Sequence, residues 1–189
     1  GIIVAGGNEI GSSSNQLFYP NDVAVDSFGN VYVADLSNYR IQKWAPGATS
    51  GNTVAGGNGQ GSAANQLSSP YGVELDGTGN LYIADAGNSR VQKWMPGATS
   101  GITVAGGNGQ GSALNQMNFP AGIEVDRNGN IYVVEVNNFR VLKWGQTLDS
   151  IMSYAAAGNY NVTVTGFTGC SASSNSFTVV PLPEITFSG

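Results

Sequence analysis

The stretch DGTGNLYIAD, residues 76–85, decides how this chain reads. It returns as DSFGNVYVAD at 26–35 and as DRNGNIYVVE at 126–135. An acidic residue, small residues, a glycine and an asparagine offer the oxygen donors with which a calcium loop opens. Such a loop takes ligands at positions 1, 3 and 5 and a bidentate Glu at position 12. Position 3 is here Phe28, Thr78 or Asn128, and position 12 is Ser37, Gly87 or Asn137, none of them a carboxylate. The frame therefore reads as a hairpin turn. Asp26, Asp76 and Asp126 are expected to bond to their own turn backbone, with Gly and Asn accepting φ > 0.

Working outward, the whole neighbourhood repeats. IVAGGNEIGSSSNQL (3–17), TVAGGNGQGSAANQL (53–67) and TVAGGNGQGSALNQM (103–117) align at the same 50-residue shift. Between residues 1–50 and 51–100, 29 of 50 positions are identical, and the third copy keeps the frame to Trp144. Self-similarity at such a period marks stacked supersecondary units. In the middle copy VELD, LYIAD, RVQKW and ITVAG alternate or run apolar between turn signals, which predicts four short antiparallel strands. A meander that small leaves both faces partly apolar, and stacking on neighbours buries them, as in a propeller. The fold class is all-β, with no helical periodicity.

Composition sets the outer bounds. Only 10% of the 189 residues are charged, the formal net charge is −5, and Gly reaches 28. Seven Lys and Arg against twelve acids exclude a general nucleic-acid binder, which needs clustered cations to displace counterions. No apolar run approaches the length of a membrane span, so no membrane insertion is expected. Histidine is absent. That removes Ser-His-Asp and Cys-His machinery and the commonest zinc ligand, so neither a cofactor nor a metal is expected. The chain opens at Gly1 without Met or signal peptide, as a processed or excised piece does.

Pro70, Gly72, Val73, Asp76, Gly79, Asn80, Tyr82, Asp85, Asn88, Arg90 and Trp94, with their equivalents 50 residues either side, form a pattern that resembles the NHL repeat. The resemblance covers residues 1–144 and implies four-stranded blades of a β-propeller. Family members usually close with about six blades. Three blades therefore imply self-pairing of half-propellers or completion by further blades of a parent chain. NHL-type propellers also include enzymes, a lyase and related hydrolases. The alternative to a binding module is thus a fragment of such an enzyme whose metal site lies in absent blades.

Several positions are candidates for a site. Asp35, Asp85 and Glu135 lie five residues before Arg40, Arg90 and Arg140, a spacing that sets carboxylate beside guanidinium across a turn. Being repeated in every copy, these pairs read as structural. Trp44, Trp94 and Trp144 read likewise, as covers on the outer edge of each blade, with Lys43, Lys93 and Lys143 turned to solvent. Glu74 and Glu124, opposite the apolar face of the first strand, are candidates to face a central channel. Residues that differ between copies point to ligands instead. On one rim these are Phe18, Tyr19, Asn21, Tyr39, Tyr71, Phe119 and Phe139. Aromatics on loops of a rigid scaffold suit protein, peptide or glycan contact, while Phe18 and Phe119 equally suit plugging the gap between blades.

From Gly145 the pattern changes. YAAAGNYNVTVTGFTGCSASSNSFTVVPLP (154–183) reads as strand NVTVT, turn GFTGC and strand SFTVV. It resembles the closing hairpin of Ig-like or PKD-like modules of secreted bacterial surface proteins, so 145–189 is expected to be a truncated sandwich. Cys170 is the only cysteine, either a lone thiol or one whose partner lies elsewhere. The resulting expectation is a non-catalytic binding or scaffold module, extracellular or at a bacterial cell surface.

Overall fold

A computed structural model describes residues 1–145 and, beyond them, four short strands. The chain forms two compact units, Gly1–Gln146 and Thr147–Gly189. In the first unit the repeats become blades. Blade 1 comprises β1 (Pro20–Val25), β2 (Val31–Asp35), β3 (Arg40–Trp44) and β4 (Asn52–Gly56), hydrogen-bonded in chain order. Blade 2 repeats this with β5 (Pro70–Leu75), β6 (Leu81–Asp85), β7 (Arg90–Trp94) and β8 (Ile102–Gly106). Blade 3 has β9 (Pro120–Val125), β10 (Ile131–Glu135) and β11 (Arg140–Trp144), with no fourth strand among the described residues.

The DxxGN frame is the β1–β2 turn and its counterparts. Asp76 Oδ1 accepts from the backbone N–H of Thr78 (2.9 Å) and Asn80 (3.0 Å), and Oδ2 from Asn80 Nδ2 (2.8 Å). Asp26 and Asp126 make the corresponding bonds. One detail differs from expectation: only Gly29, Gly79 and Gly129 take φ > 0, near +80°. The asparagine is there for its amide, which returns to the carboxylate.

Two apolar cores lie between blades rather than within them. Ala24, Tyr32, Ala34, Ile41 and Ala55 of blade 1 pack with Val73, Leu81, Ile83 and Trp94 of blade 2. Tyr82, Val91 and Ala105 of blade 2 then pack with Ile131, Val133 and Trp144 of blade 3. Each blade therefore turns a forward face to its successor and a backward face to its predecessor, as period-2 strands with two apolar faces require. Trp94 and Trp144 belong to these inter-blade cores rather than to an outer edge, and Trp44 is buried as well. Their lysine neighbours do not simply face solvent: each ammonium sits over the ring of Tyr32, Tyr82 or Tyr132, 5.2–5.6 Å from its centroid.

Inner strands meet most closely near the first residues of β1, β5 and β9. Asn21 Nδ2 donates to the Tyr71 carbonyl (2.8 Å), and Asp22 Oδ2 accepts from the Val73 N–H (2.9 Å). One blade later that position is Gly72, where any side chain would collide with the Ala121 carbonyl oxygen.

In the second unit β12 (Gly158–Tyr160) pairs with β15 (Phe177–Val179), and β13 (Thr163–Thr165) pairs with β14 (Ser171–Ser173). Both sequence-predicted segments, NVTVT and SFTVV, contain strands, but they pair with these other partners and not with each other. Cys170, the GFTGC turn and the rest of 145–189 that carried the Ig-like resemblance lie outside the described residues beyond Gly145.

Candidate rim site

Asp35, Arg40 and their equivalents build the rim. Arg40 Nε donates to Asp35 Oδ2 (2.7 Å), but the pair is not the bidentate fork the spacing invited. The other guanidinium nitrogens reach the carbonyls of Ser12 (2.8 Å), Ser13 (3.1 Å) and Gln16 (3.1 Å) in the connection entering the blade. Asp35 Oδ1 meanwhile accepts from the Phe18 N–H (2.7 Å), and Oδ2 from Asn38 Nδ2 (2.8 Å). Blades 2 and 3 repeat the arrangement with Asp85 and Arg90, and with Glu135 and Arg140. Burial pushes the Asp85 carboxyl up from its ordinary value, while Asn88, Ser68 and Arg90 pull it back. These are staples that fix a long loop to a sheet.

The connection also carries a polar frame that sequence reasoning overlooked. Asn58 Nδ2 donates to the carbonyls of Gly56 (3.2 Å) and Asn65 (2.9 Å), Gln66 Nε2 to Asn58 (3.0 Å), and Asn88 Nδ2 to Gly61 (2.8 Å). The same bonds recur in the other copies. Their signal was the invariance of the amides among the three copies. Each amide satisfies loop carbonyls that no ladder reaches.

On this scaffold all six predicted aromatics fall at one end of the blades. Tyr19 and Phe119 precede the inner strands, and Tyr39 and Phe139 close the β2–β3 and β10–β11 turns. The structure gathers two pairs: Phe18 stacks on Tyr19 (centroids 5.2 Å, 23°), and Tyr71 meets Phe119 edge-on (5.1 Å, 67°). Tyr39 and Phe139 join neither. Phe139 is 94% exposed, and Tyr19 is also exposed.

The backbone at these positions is left-handed. Tyr19, Ser69 and Phe119 have φ of 51–55°, and Tyr39, Ser89 and Phe139 have φ of 51–53°. Such a conformation costs a non-glycine residue about 1–2 kcal/mol. Nothing in the sequence announced it, because Tyr, Phe and Ser are not residues that favour it. The middle blade carries serine at both positions, so aromatic blades flank a small-residue one.

Glu74 and Glu124 lie on the inner strands β5 and β9. Ala24, at the same repeat position, lies in the first inter-blade core. Burial raises the half-buried Glu74 carboxyl above its ordinary value, and the charges of Glu124 and Asp22 add to this. Among the described residues no group of three or more His, Cys, Asp or Glu is placed to hold a metal. No helix among them is long and apolar enough to cross a membrane.

Known proteins share the architecture. Residues 9–35 match the beta-propeller repeat and residues 117–144 match the NHL repeat. No curated protein matches the chain. Two solved structures from Bacteroides thetaiotaomicron are similar. One, a structural genomics protein of unknown function, is 21% identical over 62% of this chain and 32% of its own, with a TM-score of 0.55. The other, an auxiliary nutrient binding protein, is 16% identical over 64% of this chain and 36% of its own, with a TM-score of 0.54. The chain thus spans about a third of the length of each. With the repeats and sheets described above, these likenesses establish an all-β protein built of propeller-like blades, with the NHL repeat matched at residues 117–144.

Proposed function

We propose that this chain is a non-catalytic binding module of a secreted or cell-surface protein. Its aromatic rim would take a neutral ligand, a peptide, protein loop or glycan. One observation carries the reading: the left-handed rim positions hold Tyr19, Tyr39, Phe119 and Phe139, where glycine or asparagine would relieve the backbone. At Phe139 the ring is also almost wholly in solvent, so it fills no core. A residue that neither relieves strain nor packs is best accounted for by contact with something outside the chain. Amides and hydroxyls around the rings offer hydrogen bonds without charge, which suits a neutral partner. A neighbour of similar fold described as nutrient-binding accords with this.

The test is a substitution that separates the two roles. Phe139→Gly should raise stability to denaturant by about 0.5–1 kcal/mol, since the strain relieved exceeds the glycine's entropy cost. The same variant should lose binding to whichever oligosaccharide or peptide the wild type retains from an array. Unchanged retention by Phe139→Gly and Tyr19→Gly together would overturn the reading. We further infer that the blade stack is completed by more blades of the same kind, from a second copy or a longer parent chain.

A further inference from the structure

Blade 3 departs from its own repeat at one place on the rim. Gln110, Asn118 and Asn137 stand where blade 2 has Gln60, Ser68 and Gly87, and blade 1 has Ile10, Phe18 and Ser37. Their side chains form a short chain: Gln110 Nε2 donates to Asn118 Oδ1 (2.9 Å), and so does Asn137 Nδ2 (3.1 Å). In blade 2 only the bond from Gln60 Nε2 to Ser68 Oγ (3.1 Å) remains. Amides elsewhere in the connections bond to loop carbonyls and so hold the backbone. Among the described residues, the side chains of these three bond only to one another. Gln110 and Asn137 are exposed, and so are Gln60 and Gly87 of the middle blade, which has a blade packed on each side. This exposure therefore belongs to the rim and not to an end of the stack.

A second departure adjoins the first. Phe119 follows Asn118 directly, and its ring meets Tyr71 edge-on at the junction of blades 2 and 3. At the junction of blades 1 and 2 the same two positions are Asn21 and Ser69. Both rings are half-buried, so each keeps part of its surface open. Within the amide chain Asn118 Oδ1 has both lone pairs engaged. What is left over is the Asn118 Nδ2 donor in the middle and a carbonyl acceptor on Gln110 and on Asn137. The two bonds received polarise the Asn118 amide and make its N–H groups stronger donors. Arg140, the cation of this stretch of rim, is taken up by Glu135 and the carbonyls of Ser112, Ala113 and Gln116. The site thus joins two aromatic rings to a row of uncharged donors and acceptors.

Resting on the rim-binding reading above, we propose that Tyr71, Phe119, Gln110, Asn118 and Asn137 form a subsite for a neutral carbohydrate. A sugar ring has an apolar C–H face and an edge of hydroxyls, each of which both donates and accepts. Its C–H face suits the electron-rich face of an aromatic ring. Its hydroxyls suit the amide row, one accepting from Asn118 Nδ2 while a neighbour donates to the carbonyl oxygen of Gln110 or Asn137. A peptide added to a sheet edge is held chiefly by main-chain hydrogen bonds. Here the Asn118 N–H is already taken by Glu135 (2.8 Å), and the Phe119 carbonyl by the Val136 N–H (3.1 Å). The backbone is spent and the side chains are free, which favours a sugar over a peptide.

The test transplants the repeat's own residues. Asn118→Ser, Phe119→Ser and Asn137→Gly together give blade 3 what blade 2 already carries at these positions, so the blade fold accommodates them. Native gels are cast with amylopectin, xyloglucan, arabinoxylan or galactomannan, and at least one of these should retard the wild type. The triple variant should bind that polysaccharide about tenfold more weakly or worse, having lost a ring and its amide partners, with an unchanged circular dichroism spectrum. Asn118→Asp keeps the shape and the accepting oxygen but removes the donor, and it should weaken binding as well. Retardation by none of the polysaccharides would overturn the proposal, as would equal retardation of the wild type and Asn118→Asp. A wild type that retains only neutral peptides from an array, and loses them on Phe139→Gly and Tyr19→Gly, would overturn it too while leaving the broader rim reading in place. Retardation lost in the triple variant but kept in Phe139→Gly and Tyr19→Gly would support this subsite and place binding away from those two rings.

Discussion

Val73 in the middle blade is 3% exposed, and Val23, its counterpart one blade earlier, is 56% exposed. Val91 is fully buried while Val141, one blade later, is 61% exposed. The residue type, the strand and the register are the same in each comparison. What differs is whether another blade lies against the face. In repeat architectures a unit's stability is largely supplied by its neighbours, and among the described residues the two flanking blades each have only one.

The comparison can be broken or sharpened by substitution. The largest effect is expected at the staples. Arg90→Ala leaves Asp85 buried without its cation and frees the connection, and should cost about 3–5 kcal/mol in denaturant unfolding. Arg140→Ala should cost clearly less, since its side chain is 25% exposed against 10% for Arg90. Equal losses would mean that the staples act independently of the neighbouring blade. Next come the core valines: Val91→Ala should cost about 1–2 kcal/mol by methyl removal and the cavity left. Val141→Ala should stay within about 0.5 kcal/mol.

The smallest effect distinguishes the three turns. Burial opposes ionisation of Asp76, but the Asn80 and Thr78 hydrogen bonds outweigh it and hold the carboxyl at about 2. Thr78 Oγ1 supplies a bond (2.7 Å) that Phe28 cannot, and Asp26 and Asp126 are lowered by the remaining donors. A carboxyl lowered in the folded state stabilises it above the unfolded value near 3.8. That contribution fades as pH falls from about 4 towards about 2. Thr78→Ala should therefore move the acid-unfolding midpoint slightly upward in pH, followed by tryptophan fluorescence, with no change at neutral pH beyond the lost hydrogen bond.

How much of this was legible in the sequence follows from the physics of each feature. Strands and turns were, because alternation and the DxxGN frame are local and recur three times. The acid–arginine pairing was visible in its spacing, but not its reach to Ser12, Ser13 and Gln16, since those acceptors are backbone carbonyls with no residue signature. Trp94 and Trp144 were assigned to an outer edge because a single blade does not reveal which face its neighbour covers. The left-handed rim positions were hidden altogether, since the blade geometry imposes them on Tyr, Ser and Phe alike. The aromatics themselves stand out in the sequence through the differences between copies.

Gly72 gives the blades an order. At this position blade 1 carries Asp22, whose carboxylate reaches forward to the Val73 N–H, and blade 2 carries no side chain, so that the Ala121 carbonyl can approach. An aspartate transplanted to position 72 would strike that carbonyl, and a glycine at 22 would leave the Val73 N–H without its acceptor. The copies are alike enough to have arisen from one another, yet they are no longer interchangeable. Exchanging the first and second blades would keep the strand pattern within each and break the junction between them.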